Sequence, residues 1–418
     1  MNLQDDMQDI ARKALAVSRQ LALLKARKKN SILLAMADAL EAGKARILEA
    51  NAKDMTEAEN AGLSNAMLDR LRLTEGRILA MAKGVRAVAA LKDPIGGQIS
   101  RWIRPNGLEI VKRRVPIGVI AVVYESRPNV TADAAVLCFK TSNAVILRGG
   151  KESIRSNIAI AEILNEGGRK KGLPEHAIQI VETTDREAVR LLVQMEGFVD
   201  MAIPRGGEAL IRAVADMARI PVLKHYKGVC HTYVDASANQ DMALQITENA
   251  KCQRPGVCNA METLLVHEEI APAFLPKAAA LLAERGVELR GDPAARTLVP
   301  AMKEATEDDW SAEYLDLILS VKVVPSVQAA VEHINTYGSR HSDAIVAESE
   351  AAQTVFTRDV DSATVYVNAS TRFTDGGEFG MGAEMGISTD KLHARGPVGL
   401  EELCTYKYVI GGNGQIRG

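Results

Sequence analysis

Apolar residues in the first part of the chain follow a helical period. From about Gln8 to Ala90 they recur at intervals of three and four, as in Ile32, Leu33 and Met36, which predicts a set of amphipathic helices. One basic cluster lies between these stretches, and it consists of Lys25, Arg27, Lys28 and Lys29. We interpret this cluster as a solvated helix face rather than as a site for phosphate or RNA.

The residues after Pro94 predict a β-hairpin, and residues near the end of the chain predict a strand. Gln98–Val115 reads as two strands around Pro105-Asn106-Gly107, and Asn-Gly between strands is a strong hairpin signal. An isolated hairpin is marginally stable in water, so we expect it to pack against another element or a partner subunit. Thr405–Ile410 is rich in β-branched and aromatic residues and is predicted as a closing strand.

Between these segments, short apolar runs alternate with helical stretches. Strands are predicted at Ile117–Tyr124, Ala144–Leu147, Ile178–Val181, Val199–Ile203 and Val222–Leu223. Helices are predicted at Thr131–Thr141, Glu152–Lys171, Arg186–Met195 and Glu208–Met217. Such alternation with short connections indicates a doubly wound, mostly parallel α/β sheet. A second α/β region, from about Cys230 to Gly382, has its own predicted strands at Thr263–His267, Val321–Pro325 and Thr364–Asn368.

Composition places the chain among ordinary globular proteins. Its 418 residues exceed the usual size of one core, so we expect two or three domains. The 51 Lys and Arg nearly balance the 53 Asp and Glu, and aromatic residues make up only 4%, which argues against a nucleic-acid-binding protein. No apolar run approaches membrane-spanning length, the N-terminus lacks a secretory signal pattern, and five scattered cysteines do not suggest a disulfide framework. Together these features predict a cytoplasmic protein.

Two glycine-containing loops follow predicted strands and resemble anion sites. Arg148-Gly149-Gly150-Lys151 and Pro204-Arg205-Gly206-Gly207 each stand between a strand and a helix, where glycine lets the backbone approach a phosphate. Neither matches the G-x-G-x-x-G or P-loop pattern. Their position at carboxyl ends of one sheet favours a nucleotide site, while two ordinary turns with solvated bases stay the alternative. In a third such segment, Tyr124–Asn129, Asn129 is either a donor to an oxyanion or a helix cap.

Cys258 is the candidate nucleophile. It lies in Arg254-Pro255-Gly256-Val257-Cys258-Asn259, where Pro and Gly predict a tight loop and the small residues that follow are compatible with the start of a helix. A thiol at a helix N-terminus is favoured as the thiolate, and the same N–H groups can hold an oxyanion. From the residues alone, a buried structural cysteine is the commoner outcome. A metal site is disfavoured, because Cys252 and Cys258 lack further ligands at a recognisable spacing.

Four stretches of sequence carry a resemblance to a known family. They are Val119–Val130, Leu147–Glu152, Arg254–Ala260 and Ala330–Asp343. Nearly the whole chain resembles the aldehyde dehydrogenase superfamily, and within it the members that reduce L-glutamyl 5-phosphate. The resemblance implies an α/β fold with a Rossmann-type cofactor domain, an α/β catalytic domain and a β-hairpin oligomerisation element of a homo-oligomer. The implied ranges are 1–97 and 116–228 for the NADP-binding domain, 229–395 for the catalytic domain, and 98–115 and 396–418 for the oligomerisation element.

The same resemblance assigns roles to individual residues. Cys258 is implied as the nucleophile and Asn129 as a donor to the oxyanion, and no metal is implied. The implied cofactor contacts are Arg148, Gly150, Lys151, Arg205, Gly206 and Gly207. The predicted contacts to the phosphate or carboxylate of the substrate are Ser126, Arg127, His341 and Arg372. Lys151 stands where members that prefer NAD carry a glutamate, so we expect it to attract the 2′-phosphate of NADPH.

The implied reaction is the NADPH-dependent reduction of L-glutamyl 5-phosphate to L-glutamate 5-semialdehyde and phosphate, through a thioester on Cys258. This is the second step of proline biosynthesis from glutamate. Water-using members carry a glutamate where this chain has His225-Tyr226-Lys227-Gly228, and its absence fits an acyl phosphate substrate. An enzyme with CoA or water as the acyl acceptor, or a catalytically silent assembly protein, is the alternative. Besides the small-molecule substrate, a glutamate 5-kinase is the implied partner, because it makes the acyl phosphate.

Overall fold

The computed structural model describes residues 2–417. Its α-helices are α1 (Leu3–Leu21), α2 (Ala26–Ala42), α3 (Lys44–Asn60), α4 (Asn65–Leu71), α5 (Glu75–Ala90), α6 (Asn129–Lys140), α7 (Ile154–Arg169), α8 (Glu187–Val193), α9 (Glu208–Met217), α10 (Gln240–Cys252), α11 (Ala271–Glu284), α12 (Pro293–Leu298), α13 (Val327–Tyr337) and α14 (Glu350–Asp359). Its β-strands are β1 (Gln98–Ile103), β2 (Glu109–Pro116), β3 (Val119–Tyr124), β4 (Ala144–Arg148), β5 (Ile178–Ile180), β6 (Met201–Arg205), β7 (Cys230–Val234), β8 (Met261–His267), β9 (Glu288–Gly291), β10 (Lys303–Glu304), β11 (Ile318–Val324), β12 (Ser342–Val346), β13 (Thr364–Val367), β14 (Ile387–Ser388), β15 (Gly396–Pro397) and β16 (Cys404–Gly411). Short 3₁₀ helices lie at Lys151–Ser153, Glu307–Ser311 and Thr371–Phe373.

The chain divides into two compact units. The first unit comprises residues 2–224, 380–386 and 398–417, and the second comprises 225–379 and 387–397. Each unit has its own parallel sheet. The three-part division implied by the resemblance stays a prediction, and the first and last residues of its ranges lie outside the described residues. Within the described part of the chain, no helix combines the length and the apolar character needed to cross a bilayer.

The N-terminal helices form where apolar residues repeat on one face. Helix α1 starts at a favourable N-cap, since the Asn2 side chain accepts a hydrogen bond from the Asp5 N–H. Helix α2 differs from the prediction at one member of the basic cluster. Lys29 is fully buried, and its ammonium group lies 2.7 Å from an Asp93 carboxylate oxygen and donates to the Lys140 carbonyl oxygen. The interpretation of Lys29 as solvated is therefore wrong, because it lies one turn before the apolar face of α2 and continues that face.

The parallel sheet of the first unit has the strand order β5-β4-β3-β6. Strands β3 and β4 are buried along their whole length, as expected from their uninterrupted apolar sequence. Since β4 and β6 flank β3 on opposite sides, the order of strands reverses beside β3. Ligands of doubly wound sheets bind at such a reversal, at the carboxyl ends of the strands. The sheet thus brings the loops after β3, β4 and β6 to one edge.

The predicted elements of this sheet are confirmed, with two differences. The strand predicted at Val222–Leu223 is reduced to an isolated bridge between Ala202 and Val222. The helix predicted at Glu152–Lys171 is a 3₁₀ turn followed by α7, which ends at Arg169. The strand predicted at Val222–Leu223 therefore does not form, and the regular part of α7 is shorter than the predicted helix.

The predicted hairpin forms as β1 and β2, and the predicted closing strand forms as β16. Strand β2 pairs antiparallel with both, with Ile103 opposite Glu109 on one side and Tyr408 opposite Lys112 on the other. The hairpin therefore packs against the end of its own chain, which confirms that it pairs with another element. Large apolar side chains of this sheet are exposed, including Ile103, Tyr408 and Ile410. The role of the sheet in oligomerisation stays a prediction.

The parallel sheet of the second unit has the order β10-β9-β11-β8-β7-β12-β13. The three strands predicted for this region are confirmed as β8, β11 and β13. The core on one side of the sheet packs Phe274 and Leu275 of α11 against Leu264 of β8. Because β7 and β8 are neighbours, the segments that lead into them also lie side by side. These two segments contain Gly228 and Cys258.

Candidate active site

Cys258 lies half-buried in the loop between α10 and β8. Helix α10 ends at Cys252 and strand β8 begins at Met261, so no helix starts directly after the thiol. The prediction of a helix N-terminus at Cys258 is wrong, because the residues that follow are buried in a central strand, and that burial outweighs their helix propensity. Positive charge near the thiol comes from side chains instead.

The backbone of Gly228 supports the thiol loop directly. A Cβ atom at position 228 would lie 1.8 Å from the Cys258 carbonyl oxygen and 2.6 Å from the Cys258 Cα, so only glycine fits without displacement. The Gly228 N–H donates to Glu313 Oε1 at 2.8 Å. A carboxylate therefore stands close to the thiol loop, although it comes from a distant part of the sequence. The segment His225–Gly228 contains no glutamate, but Glu313 brings a carboxylate to this region.

A chain of polar contacts runs from the thiol loop into the core of the second unit. The Cys230 thiol donates to the Cys258 carbonyl oxygen at 3.2 Å and lies 3.7 Å from His341 Nδ1. The same His341 nitrogen lies 2.8 Å from Ser342 Oγ, which lies 2.6 Å from Thr374 Oγ1. These contacts hold the carbonyl side of the thiol loop from within the sheet. Sequence analysis missed Cys230, since nothing in its local pattern distinguishes it from an ordinary core cysteine.

His341, a predicted contact of the substrate phosphate or carboxylate, is not a cation in this structure. Its side chain is fully buried, and burial lowers its pKa to about 3, with the neighbouring His225 lowering it further. A neutral imidazole supplies no positive charge near pH 7. His341 lies beneath the thiol loop as a buried, neutral residue, and its contact with the substrate stays a prediction.

One guanidinium group joins residues on both sides of Cys258. Arg372 Nε donates to Gln253 Oε1 at 2.9 Å, and its Nη1 donates to Asn259 Oδ1, so Arg372 bridges the two ends of the loop. Burial lowers the Arg372 pKa, the positive charge of Arg254 lowers it further, and Cys258 acts in the opposite direction. The positive charge of Arg372 favours the thiolate, and a guanidinium group is suited to binding carboxylate or phosphate oxygens. Arg372 was predicted as a site residue and Arg254 was not, although Arg254 belongs to the same motif as the thiol.

In the first unit, a carboxylate organises the loop after β3. Ser126 has a left-handed backbone with φ of 39°, and its N–H and Oγ donate to Glu152 Oε1 at 2.6 and 2.7 Å. The Ser126 hydroxyl thus has a partner within its own unit. The neighbouring Arg127 is exposed. Asn129 begins α6, and its Nδ2 donates to Asp133 Oδ2 at 3.0 Å, which orients the amide.

The predicted cofactor residues after β4 differ in what they contact. Arg148 is buried and donates to the carbonyl oxygens of Gly149 and Thr184 at 2.7 and 2.9 Å, so its guanidinium group braces this loop. At Gly150, a Cβ would lie 2.2 Å from a Glu152 carboxylate oxygen, so a side chain there would displace that carboxylate. Lys151 is exposed at the start of the 3₁₀ turn.

The loop after β6 presents backbone N–H groups at the start of α9. The Gly207 N–H donates to Glu125 Oε2 at 3.0 Å, and a Cβ on Gly206 would lie 2.4 Å from that same oxygen. A carboxylate oxygen therefore sits where a helix N-terminus binds anions. The guanidinium group of Arg205 packs against Gly386, where a Cβ would lie 2.2 Å from Nη1. Sequence analysis missed Glu125, although it directly precedes Ser126 in a quoted motif.

Comparison with known proteins connects this geometry to one family. The sequence model of the aldehyde dehydrogenase family matches residues 2–317. The gamma-glutamyl phosphate reductase of Caldanaerobacter subterraneus subsp. tengcongensis is 57% identical over 407 residues, which cover 97% of this chain and 98% of that protein. That of Moorella thermoacetica is 56% identical over 417 residues, which cover 100% of both. The crystal structure of gamma-glutamyl phosphate reductase from Thermotoga maritima matches with a TM-score of 0.97 at 45% identity, over 99% of this chain and 100% of that one.

Proposed function

We propose a function from the premise that this chain belongs to the aldehyde dehydrogenase family. The chain is an oxidoreductase, and its family uses nicotinamide cofactors. Its reaction, as we infer it, is the NADPH-dependent reduction of L-glutamyl 5-phosphate to L-glutamate 5-semialdehyde and phosphate, within proline biosynthesis. The relatives named gamma-glutamyl phosphate reductase support this substrate, because they are similar over the full length.

The observation that carries the proposal is the setting of Cys258. Cys258 is half-buried, its backbone rests on Gly228, and Arg372, which joins Gln253 to Asn259 across the loop, interacts electrostatically with it. Reactive cysteines occupy such partly exposed, electropositive positions, whereas structural cysteines lie sealed in apolar surroundings. Guanidinium groups also fit the oxygens of an acyl phosphate or a carboxylate.

The proposed chemistry begins with attack of the Cys258 thiolate on the acyl carbon of the substrate. The C–S bond forms, the C–O bond to phosphate breaks, and phosphate leaves with the electron pair, so that a thioester remains. NADPH, when bound, supplies the hydride that reduces the thioester carbon. Cys258 then departs as the thiolate and the aldehyde is released. The Cys258 N–H and the Asn129 amide are the proposed oxyanion donors, and one such donor contributes about 2.7–4 kcal/mol.

The first unit has groups that fit a dinucleotide. The Gly207 N–H lies at the start of α9 and donates to Glu125 here, and backbone N–H groups in such a position bind phosphates in other proteins. Lys151 is exposed at the start of the 3₁₀ turn after β4 and would meet the 2′-phosphate. Arg148 would act on the cofactor indirectly, through the loop that it braces. Arg205, Gly150 and Gly206 stay proposed contacts of the cofactor. Ser126 and Arg127 stay proposed contacts of the substrate.

The reaction is tested by running it in the oxidative direction. With glutamate 5-semialdehyde and NADP, we expect turnover to require phosphate, with arsenate as a substitute, because the thioester needs a phosphate-like acceptor. CoA is expected not to replace phosphate. The contact of the Glu313 carboxylate with Gly228, beside the thiol loop, favours water as the acceptor. Equal oxidation rates with and without phosphate would therefore establish the water-using alternative and contradict the proposal.

Reversal of the charge at Lys151 is expected to weaken NADPH selectively. In Lys151→Glu, the KM for NADPH should rise about 10-fold while the KM for NADH changes little, because the lost partner is the 2′-phosphate. A rise of about 10-fold in KM is near the lower end of the range for loss of a charge-assisted hydrogen bond. We expect this small effect because Lys151 is exposed and its charge is screened by solvent. Initial rates measured against each cofactor provide the check.

The matched control for this experiment is Lys170→Glu, at the C-cap of α7 and away from the sheet edge. It introduces the same change of charge, and both KM values are expected to stay at the wild-type level. An equal rise in KM for NADPH and NADH in Lys151→Glu would contradict the assignment to the 2′-phosphate.

The remaining proposals concern the surroundings of the enzyme. We propose that it works in the cytoplasm as a homo-oligomer through the sheet of β1, β2 and β16. A glutamate 5-kinase is the proposed supplier of the acyl phosphate. Analytical ultracentrifugation of a chain with polar replacements on the exposed face of this sheet tests the oligomer.

A further inference from the structure

A buried ion pair closes the base of the thiol loop. Lys251 is the penultimate residue of α10, and Glu262 is the second residue of β8. Lys251 Nζ lies 2.6 Å from Glu262 Oε2, and both side chains have 0% exposure. Since Cys258 lies in the loop between these two residues, the pair holds the two ends of that loop together.

Stability alone does not explain this pair well. Burial lowers the Lys251 pKa and raises the Glu262 pKa to about 7, so desolvation opposes both charges. A buried ion pair commonly adds no stability relative to apolar residues of similar volume, because the loss of hydration offsets the attraction. A role in placing the loop gives a reason for burying two charges at this position.

Glu262 also holds a second segment against the thiol loop. Its Oε1 accepts the Leu315 N–H at 3.2 Å, and Leu315 has a left-handed backbone with φ of 53°, which is strained for a bulky residue. The Leu315 carbonyl oxygen lies 3.7 Å from the position of a Cβ at Gly256, so this segment contacts the thiol loop. Two residues earlier in the same segment, Glu313 accepts the Gly228 N–H.

These contacts converge on the nucleophile. Gly228 packs against the Cys258 backbone from one side, and the loop ends are joined by the ion pair. We propose that Lys251 and Glu262 are positioning residues for Cys258, which together hold the thiol loop and the segment of Glu313 at the separation that aims the sulfur at the acyl carbon. This inference rests on the proposed function, in which Cys258 is the nucleophile.

The test separates folding from positioning by removing one or both charges. Lys251→Met and Glu262→Leu each leave a buried ionisable group without its partner, so each is expected to lower Tm strongly. The double variant Lys251→Met/Glu262→Leu removes both charges and is expected to regain most of the lost Tm. Its kcat and the rate of Cys258 alkylation by iodoacetamide are still expected to be about 10-fold below wild type, with KM little changed, since a misplacement of about 1 Å costs up to about 100-fold.

The matched control removes an exposed ion pair that also involves α10. Glu248 of that helix pairs with Arg285, and the double variant Arg285→Gln/Glu248→Gln is expected to keep wild-type kcat and alkylation rate. A Lys251→Met/Glu262→Leu protein with wild-type Tm, kcat and alkylation rate would overturn the proposal and leave the pair a purely structural one.

A further variant keeps the proposal testable if the double variant does not fold. Glu262→Gln preserves side-chain shape and the acceptor for Leu315 while removing the negative charge, and it is expected to show the same fall in alkylation rate. An unchanged rate in a folded Glu262→Gln protein would also overturn the proposal. Alkylation, read by mass spectrometry on the Cys258 peptide, requires no substrate. A failure of the positioning role is therefore distinct from a failure of the proposed function, which would appear as turnover in a protein without Cys258.

Discussion

Replacement of Cys258 by alanine is expected to abolish reduction of L-glutamyl 5-phosphate while the protein stays folded. Loss of a covalent nucleophile removes the pathway through the thioester, so kcat should fall by about 10⁴- to 10⁶-fold. The thiol is half-buried and lies in a loop, so its removal leaves both sheets intact. Consumption of NADPH measures the activity, and thermal denaturation shows that the fold survives.

The control for this prediction is Cys252→Ala. Cys252 is also half-buried and free, and it ends α10 with its side chain packed against the hydrophobic core of the second unit. Its replacement is expected to leave kcat near wild type. Comparable turnover in the two variants would contradict the role of Cys258 and would remove the basis for a thioester.

The substitution Gly228→Ala adds one methyl group and removes no reacting side chain, yet it is expected to inactivate the enzyme. The new Cβ in Gly228→Ala would lie 1.8 Å from the Cys258 carbonyl oxygen, and this overlap forces the thiol loop away from its support. A displacement of about 1 Å at the nucleophile costs about 100-fold in kcat. Overpacking of this kind also destabilises the fold by about 1–3 kcal/mol. Steady-state kinetics and denaturant unfolding measure the two effects.

Gly256→Ala provides the matched control within the thiol loop itself. Its Cβ would have its nearest contact at 3.7 Å, to the Leu315 carbonyl oxygen, which is ordinary van der Waals distance. We therefore expect kcat and stability close to wild type. If Gly228→Ala behaved like Gly256→Ala, the rigid support of Cys258 by position 228 would be refuted.

Local patterns in the sequence were sufficient for most elements of the fold. The buried strands β3 and β4 and the alternation around them were predicted from apolar runs alone, because parallel strands buried on both faces require such runs. The hairpin of β1 and β2 was predicted from Asn106-Gly107. The helix expected after Cys258 was wrong, since small residues there are compatible with a helix, and only the neighbouring strands show that the segment enters a sheet.

Polar residues, inside and outside the candidate site, were predicted less well where burial decides their chemistry. Lys29 and His341 have the composition of surface groups, yet both are fully buried, one as a paired cation and the other as a neutral imidazole. Glu313 was missed because its contact with Gly228 joins residues 85 positions apart, a separation at which no local pattern is informative.

The sequence by itself determined the family, the order of strands and helices along the chain, and Cys258 as the candidate nucleophile. These features depend on the spacing of apolar residues and on short motifs, which are properties of neighbouring positions. Only the tertiary structure decided which side chains support that thiol, which ionisable side chains carry a charge, and which ion pair lies beneath the loop. The physical reason is that hydration and packing of a group depend on residues brought together from several elements, and those distances are set by the folded sheet.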